Sequence, residues 1–185
     1  MRLKGYDYSN PGAYFITVCT KDVECMFGEV VNGKVHLNGP GEIVKREWLK
    51  TFDMRKNLGL DEYVIMPNHF HGIVNIKCRG TARCAPTREQ FGEPVSGSIP
   101  TIVRSFKSAV TKRINEIRGF PNSDVWQRNY YEHVIRNEFE LNRIKEYIQN
   151  NPMKWHLDRE NPDRIGYDEL EDDLFEPKIK SPSQP

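Results

Sequence analysis

The sequence predicts an α+β fold, a ferredoxin-like sandwich in which helices pack on a mainly antiparallel sheet. Segments rich in β-branched and aromatic residues alternate with segments of helical periodicity, in the order strand, hairpin, helix, strand, helix, strand, helix. The 185 residues are enough for one domain with a hydrophobic core, and no internal repeat divides them. With 37% apolar and 29% charged residues, the composition is that of a soluble globular protein rather than a disordered chain.

The first elements of the sheet are predicted from short β-rich runs. Residues 13–20, AYFITVCT, are apolar on both faces, which favours a central strand covered on both sides. Residues 27–37 form a predicted hairpin, because Asn32-Gly33 is a strong turn signal between two such runs. The spacing of apolar side chains then predicts a crossover helix over residues 42–52.

A polar interruption lies inside the next β-rich stretch, residues 61–76, DEYVIMPNHFHGIVNI. We interpret the stretch as one strand in which Pro67-Asn68 marks a bulge or bend, since proline cannot donate to a strand ladder. Residues 77–97 follow without any periodicity and are rich in Gly, Pro and charge. They are expected to form an insertion loop, either mobile and solvated or in contact with nucleic acid.

The second half of the chain supplies two helices around one strand. A helix is predicted over residues 98–119, with Ser98 as its cap and an apolar stripe along one side. Residues 125–136, VWQRNYYEHVIR, are predicted to form a strand, and residues 138–150 a last helix that ends before Pro152.

Charge is distributed unevenly along the chain despite a net charge of +1. Residues 158–176 hold nine acids against two bases, so the preceding part is basic, as in many proteins that bind nucleic acid. We therefore expect a single domain over residues 1–158 and an acidic tail, 159–185, that is poorly ordered and packs weakly or not at all. Such a tail could lie over the basic surface when no nucleic acid is bound.

The sequence favours a cytoplasmic protein with no membrane partner. No apolar run approaches the ~20 residues of a membrane span, and residues 1–10 lack the apolar core of a signal peptide. The four cysteines show no C-x-x-C spacing, so reduced thiols are expected and a structural zinc site built from them is not.

Two histidines in the strand 61–76 indicate a metal site. Side chains two apart on a strand point to the same face, so His69 and His71 would lie side by side while Phe70 points into the core. Two imidazoles on one face are half of a metal site. The alternative is that one histidine is an ordinary core residue and the other lies at the surface.

The last helix could supply the remaining groups. Tyr147 and Asn151 are four residues apart and would lie on the same helix face. Two imidazoles and an amide oxygen could hold Mg²⁺ or Mn²⁺ with positions left open for a phosphate, which Tyr147 could then attack. Spacing alone does not bring the strand and the helix together. From these residues alone, a metal-dependent hydrolase with water as the nucleophile ranks first.

Basic and aromatic side chains in the second half of the chain are candidates for contact with DNA. The helix 98–119 carries five bases against one acid, and the segment 125–136 combines tyrosines with an arginine. Solubility and core packing are the alternatives for individual residues. The candidates are Arg104, Lys107, Lys112, Arg113, Arg128, Tyr130 and Tyr131.

Four motifs in order, YFITVCT, VIMPNHFHGIV, VWQRNYYEHVIR and EYIQNNPMKW, resemble the REP-associated tyrosine transposases. These belong with the insertion-sequence-200-like transposases of the HUH endonuclease superfamily, and the resemblance covers roughly residues 10–157. It implies a ferredoxin-like core, single-stranded DNA substrates folded as hairpins, and a divalent metal, Mg²⁺ or Mn²⁺. It also implies cleavage and rejoining through a covalent 5′-phosphotyrosine link.

Carried over by position, the resemblance makes His69, His71 and Asn151 the metal ligands and Tyr147 the nucleophile. His133 resembles a recurrent position, where a core or substrate-contacting histidine is favoured over a ligand. A non-catalytic, domesticated protein that holds DNA hairpins, and a nuclease that uses water, remain as alternatives. In some relatives the tyrosine helix is exchanged between subunits, so a monomer and a homodimer are both open here, with the monomer favoured.

Overall fold

The protein forms one four-stranded antiparallel sheet, a separate hairpin and four helices over the residues that the computed structural model describes, 6–78 and 95–175. Short 3₁₀ turns lie at Lys21–Val23 and Trp155–Leu157. The strands are β1 (Gly12–Cys19), β2 (Gly28–Val31), β3 (Lys34–Leu37), β4 (Leu58–Ile65), β5 (His69–Ile76) and β6 (Tyr131–Ile135). The helices are α1 (Gly39–Asp53), α2 (Ile99–Arg118), α3 (Glu138–Asn150) and α4 (Glu169–Phe175).

The sheet has the strand order β4-β5-β1-β6, and each neighbouring pair is antiparallel. With the hairpin β2-β3 set aside, the elements β1-α1-β4-β5-α2-β6 follow the βαββαβ order of a ferredoxin-like fold. The predicted fold class is therefore confirmed. β1 occupies the centre and pairs with β5 and β6, as its two apolar faces predict.

The single strand predicted over residues 61–76 is wrong, because the structure contains two strands there. Pro67-Asn68 is the two-residue loop of a hairpin between β4 and β5, closed by the Met66 amide donating to the His69 carbonyl at 2.8 Å. Proline has no N–H and ends the ladder of β4. The chain on each side is equally apolar, so the pattern gives no sign of the reversal.

The strand predicted over residues 125–136 is shortened to β6. Before β6, Trp126 makes one isolated bridge to Thr20 and turns into the core, where its side chain is 7% exposed. The Lys107 ammonium donates to the carbonyls of Gln127, Arg128 and Asn129 at 2.6, 3.2 and 3.4 Å, so these groups are satisfied without a strand partner.

The predicted helix boundaries are close to those observed. α1 begins at Gly39, earlier than predicted, because the Asn38 side chain accepts a 3.1 Å hydrogen bond from the Gly41 amide and Pro40 fits the first turn. Ser98 precedes α2 as predicted, but its hydroxyl lies 3.2 Å from the Thr101 hydroxyl instead of capping a backbone amide. α3 has the predicted bounds.

Helices cover both faces of the sheet and create two apolar clusters. α1 and α2 pack on one face, where Trp48, Phe70 and Phe106 are fully buried. α3 and α4 pack on the other face around Phe15 and Ile73. The odd-numbered residues of β5 face α3, which determines where its histidines lie.

The C-terminal acidic segment packs against α3 and the sheet over residues 159–175, which corrects the expectation that it packs weakly or not at all. Its acids pair mainly with Arg143, Lys154 and Arg159, away from the basic helix α2. Residues 176–185 and most of the predicted loop 77–97 lie outside the described residues. Within the described part of the chain, no helix combines the length and apolarity that a bilayer span requires.

Candidate metal centre

His69 and His71 open β5 and lie side by side on the α3 face of the sheet. They pair across the ladder with Cys19 and Thr17 of β1. Both side chains are buried, 0% and 3% exposed, and their ring centroids are 4.4 Å apart. The shared face predicted from their two-residue spacing is therefore present, while Phe70 between them packs in the opposite cluster.

A second set of side chains orients the two imidazoles. Asn68 donates through its Nδ2 to the carbonyls of Val23 and Glu160, so its Oδ1 accepts from His69 Nδ1 at 2.9 Å. This bond puts the proton of His69 on Nδ1 and leaves the lone pair on Nε2. His71 Nδ1 lies 2.8 Å from the Thr17 hydroxyl. Each ring thus presents Nε2 to the interior of the site, as metal-binding histidines do.

Asn151 and Asp158 lie beside the histidines. Asn151 is the C-cap of α3 and Asp158 follows the 3₁₀ turn that comes after it. Asp158 Oδ2 is 3.7 Å from His69 Nε2 and accepts a 2.6 Å hydrogen bond from Asn151 Nδ2. The ligand atoms of His69, His71 and Asp158 all lie within 4.8 Å of one another. Asp158 is the member of this cluster that the sequence does not predict.

The cluster has the properties of a cation site. His69 Nε2 and Asn151 Oδ1 are buried and lack a hydrogen-bond partner among the described residues. An unpartnered buried polar atom is costly, and a bound cation would satisfy both. Two imidazole nitrogens with amide and carboxylate oxygens are a donor set that suits a divalent metal. The residues present therefore fit the predicted cofactor class.

Burial favours the neutral form of both histidines. Burial lowers the pKa of His69, although the nearby carboxylates of Asp158 and Glu160 act in the opposite direction. Burial also lowers the pKa of His71, and repulsion from Arg159, or from His69 when that ring is protonated, lowers it further. A neutral imidazole is the form that binds a metal.

Tyr147 projects from the last turn of α3 into the same site. Its hydroxyl is 3.1 Å from His71 Nε2 and donates to Glu171 Oε1 at 3.0 Å. The side chain is 3% exposed, and burial raises its pKa, with the negative charges of Asp158 and Glu171 adding to the rise. The predicted strand and helix groups, His69, His71, Tyr147 and Asn151, are thus brought together within one chain.

The C-terminal segment forms one wall of the site. Phe175 of α4 stacks on Phe15 with ring centroids 5.1 Å apart, and Arg159 binds Glu171 at 3.0 Å. A cavity of about 90 Å³ lies between these residues and Tyr147. No periodicity or motif in the sequence indicates Glu171 or Arg159, because both belong to a segment that is uniformly rich in charge.

The basic residues predicted to contact DNA lie in different surroundings in the structure. Arg104, Lys112 and Arg128 are exposed and line an open groove of about 850 Å³ between α2 and the segment 119–128. Lys107 also lines this groove, but its ammonium is bonded to backbone carbonyls. Arg113 points towards α1, with its guanidinium 3.9 Å from Glu47 and 3.3 Å from Glu116.

The two tyrosine candidates lie on opposite faces of the sheet. Tyr130 packs against the α1-α2 cluster and donates to Glu132 at 2.7 Å. Tyr131 packs edge-to-face with Phe15 and Phe175 near the metal cluster. His133 is outside the cluster, 2.8 Å from Glu140, and joins β6 to the start of α3. It does not contribute to the cluster of candidate ligands, and a core or substrate-contacting role for it stays a prediction.

Comparison with known proteins gives one strong sequence relative. No family model matches the chain. An uncharacterised protein of Haemophilus influenzae is 44% identical over 169 residues, covering 86% of this chain and 90% of the relative. Among solved structures, a REP-associated tyrosine transposase bound to a REP hairpin has a TM-score of 0.52 and 18% identity, over 84% of this chain and 73% of that chain. At this identity the likeness concerns the fold.

Proposed function

The chain belongs to the same protein family as its Haemophilus influenzae relative, and we propose that it is a metal-dependent transesterase acting on single-stranded DNA. It would cleave and rejoin DNA that contains hairpins, as the REP-associated tyrosine transposases do. The observation that carries the proposal is the buried Tyr147 hydroxyl, 3.1 Å from His71 Nε2, beside two donors, His69 Nε2 and Asn151 Oδ1, that lack a hydrogen-bond partner among the described residues.

The metal site in this proposal is made by His69, His71, Asn151 and Asp158. The first three follow from the sequence, and Asp158 joins them because its carboxylate lies within the same cluster. A divalent metal, Mg²⁺ or Mn²⁺, would supply a Lewis acid that polarises the phosphate. Asn68 and Thr17 hold the two rings so that the Nε2 atoms face the site.

Tyr147 is the proposed nucleophile. Its oxygen forms a bond to phosphorus while the bond from phosphorus to the deoxyribose 3′-oxygen breaks, which leaves a 5′-phosphotyrosine and a free 3′-OH. The covalent link conserves the energy of the broken bond, so rejoining by reversal needs no nucleotide cofactor. Phe15 and Phe175 pack beside the tyrosine ring and limit the access of water to it.

The groove beside α2 is the proposed path of the DNA backbone. Arg104, Lys112 and Arg128 contribute exposed positive charge there, and phosphate contacts of this kind position a strand without reading its sequence. Lys107 of the groove donates to the carbonyls of Gln127 and Arg128. The Gln127 amide in turn donates to the carbonyl of Cys19, the last residue of β1, which pairs with His69. The groove and the metal cluster are thus linked through the end of β1. The hairpin bound to the transposase of similar fold supports folded single strands as substrates.

Incubation with single-stranded hairpin DNA and Mn²⁺, followed by denaturing electrophoresis, tests the proposal. We expect a metal-dependent covalent protein–DNA band that disappears in Tyr147→Phe and persists in Tyr167→Phe, whose ring is exposed. Cleavage without an adduct, at single-turnover times short enough to exclude its decay, would favour a nuclease that uses water. Tight hairpin binding without cleavage would instead indicate a non-catalytic DNA-binding protein.

A further inference from the structure

Glu171 contacts the reactive atom of the proposed nucleophile. It lies on α4, is 1% exposed, and its Oε1 accepts the hydrogen bond from the Tyr147 hydroxyl at 3.0 Å. Its second oxygen, Oε2, is buried and has no hydrogen-bond partner among the described residues. A carboxylate withdrawn from water and directed at a tyrosine hydroxyl is rarely found without a role.

Among the described residues the Tyr147 hydroxyl has two hydrogen-bond partners, and only one of them can take its proton during the reaction. The proton must leave the oxygen when that oxygen bonds to phosphorus. His71 Nε2, at 3.1 Å, is one of the candidate metal ligands, and a nitrogen whose lone pair binds a metal cannot also bind a proton. Glu171 Oε1 is the remaining acceptor in contact with the hydroxyl.

We infer that Glu171 is the catalytic proton acceptor for Tyr147. The inference rests on the proposed function. In the forward step the Tyr147 oxygen bonds to phosphorus, its proton passes to the Glu171 carboxylate, the bond to the 3′-oxygen breaks, and that oxygen takes a proton from solvent water. On rejoining, the 3′-OH gives its proton to solvent water and its oxygen bonds to phosphorus, and Glu171 returns its proton to Tyr147 as the tyrosine oxygen leaves phosphorus.

The surroundings of Glu171 suit a carboxylate that accepts a proton. Burial and the nearby charge of Asp158 raise the pKa of Glu171, which makes it a better proton acceptor, while Arg159 Nε, 3.0 Å from Oε1, opposes that rise. α4 is held in place by the stacking of Phe175 on Phe15 and by the ion pair between Arg143 and Asp173. These contacts keep the carboxylate within hydrogen-bond distance of the tyrosine, as general base catalysis requires.

Single-turnover kinetics of Glu171→Gln test the inference, with Glu169→Gln as the control because Glu169 is exposed on the same helix. Glutamine keeps the shape of the side chain and cannot accept the proton. We expect the rates of cleavage and of rejoining to fall together by about 10²- to 10⁴-fold. The ratio of adduct to free DNA at equilibrium, the hairpin affinity and the Mn²⁺ affinity should match those of the wild type.

Other outcomes overturn the inference. An unchanged cleavage rate means that Glu171 does not take the proton. A faster rate with more adduct at equilibrium means that Glu171 restrains the free tyrosine and must be released before reaction. If Glu171→Gln fails to fold by thermal melting, Glu171→Met, which keeps the length of the side chain without a proton acceptor, replaces it, and an unchanged rate in that variant has the same meaning. Absence of an adduct in the wild type overturns the proposed function and this inference with it, whereas an adduct that forms in Glu171→Gln at the wild-type rate and is lost in Tyr147→Phe overturns the inference alone.

Discussion

The Asn151 amide donates a 2.6 Å hydrogen bond to the carboxylate of Asp158, across the turn that follows α3. In this orientation the amide oxygen is buried and has no hydrogen-bond partner among the residues that the structure describes. Asp158 is itself fixed by the Glu160 amide, which donates to its other oxygen at 2.8 Å. The pair thus presents two oxygens next to His69, and one orients the other.

Substitution of Asp158 should weaken metal binding. Asp158→Asn removes a negative charge beside His69 and disturbs the orientation of Asn151, so we expect the Mn²⁺ affinity to fall by at least about tenfold. Isothermal titration calorimetry with Mn²⁺ measures the change. Asp163→Asn is the control, since Asp163 is exposed and outside the cluster. Equal affinities in the two variants would remove Asp158 from the proposed site.

Local periodicity in the sequence predicts half of the residues of this site and does not predict the rest. The two-residue spacing of His69 and His71 and the four-residue spacing of Tyr147 and Asn151 indicate shared faces, because each pair lies on one regular element. Asp158 and Glu171 lie on separate segments, and only the tertiary packing of those segments brings them to Tyr147. No spacing in the sequence distinguishes them from the other acids around them.

The elements of the fold likewise include some that the sequence predicts and some that it does not. β1, the hairpin β2-β3, α1, α2 and α3 follow from periodicity and turn residues, which act over a few positions. The reversal at Pro67-Asn68 does not, because the chain before and after it is apolar and the same residues could form a bend within one strand. Similarly, Trp126 belongs to a β-rich run but is drawn into the core beside Phe27 and Phe106.

The metal-free protein should lose stability as the pH falls. His69 and His71 have lowered pKa values in the folded state because they are buried, whereas unfolded imidazoles bind protons below a pH of about 6.5. The unfolded state then binds more protons than the folded state, so the free energy of unfolding decreases as the pH drops through this value. The decrease should approach about 1.4 kcal/mol per pH unit for each histidine.

Urea unfolding in EDTA between pH 7.5 and 5 measures this effect. In His71→Gln the slope of the free energy of unfolding against pH should be smaller, because one buried imidazole is gone. His36→Gln is the control, since His36 is exposed on the hairpin. A slope in His71→Gln equal to that of the wild type would show that protonation of this ring does not oppose folding.

Charge in the groove beside α2 should control the salt dependence of DNA binding. Arg104→Gln and Lys112→Gln each remove one exposed positive charge from the groove wall. We expect each variant to bind hairpin DNA more weakly and the slope of log affinity against log salt to become shallower by about one. Fluorescence anisotropy over roughly 50–500 mM salt, a tenfold range that resolves this slope, is the measurement. Lys50→Gln is the control, because Lys50 is exposed on α1 outside the groove, and this variant should leave the slope unchanged. A shallower slope in Lys50→Gln would mean that net charge, and not the position of the charge in the groove, determines the salt dependence.

Gly72 explains how β5 can hold two histidines and still pack closely on α1. A Cβ atom at this position would lie 2.6 Å from the Phe70 ring and 2.8 Å from the Trp48 ring, and both rings are fully buried. Gly72→Ala should therefore reduce the free energy of unfolding by about 1–3 kcal/mol, because neither ring can move without opening the core. Gly39→Ala is the matched control, since nothing lies within 4 Å of a Cβ there and the residue is helical. If urea unfolding gave the two variants equal stability, the close packing between β5 and α1 would not limit which residues position 72 accepts.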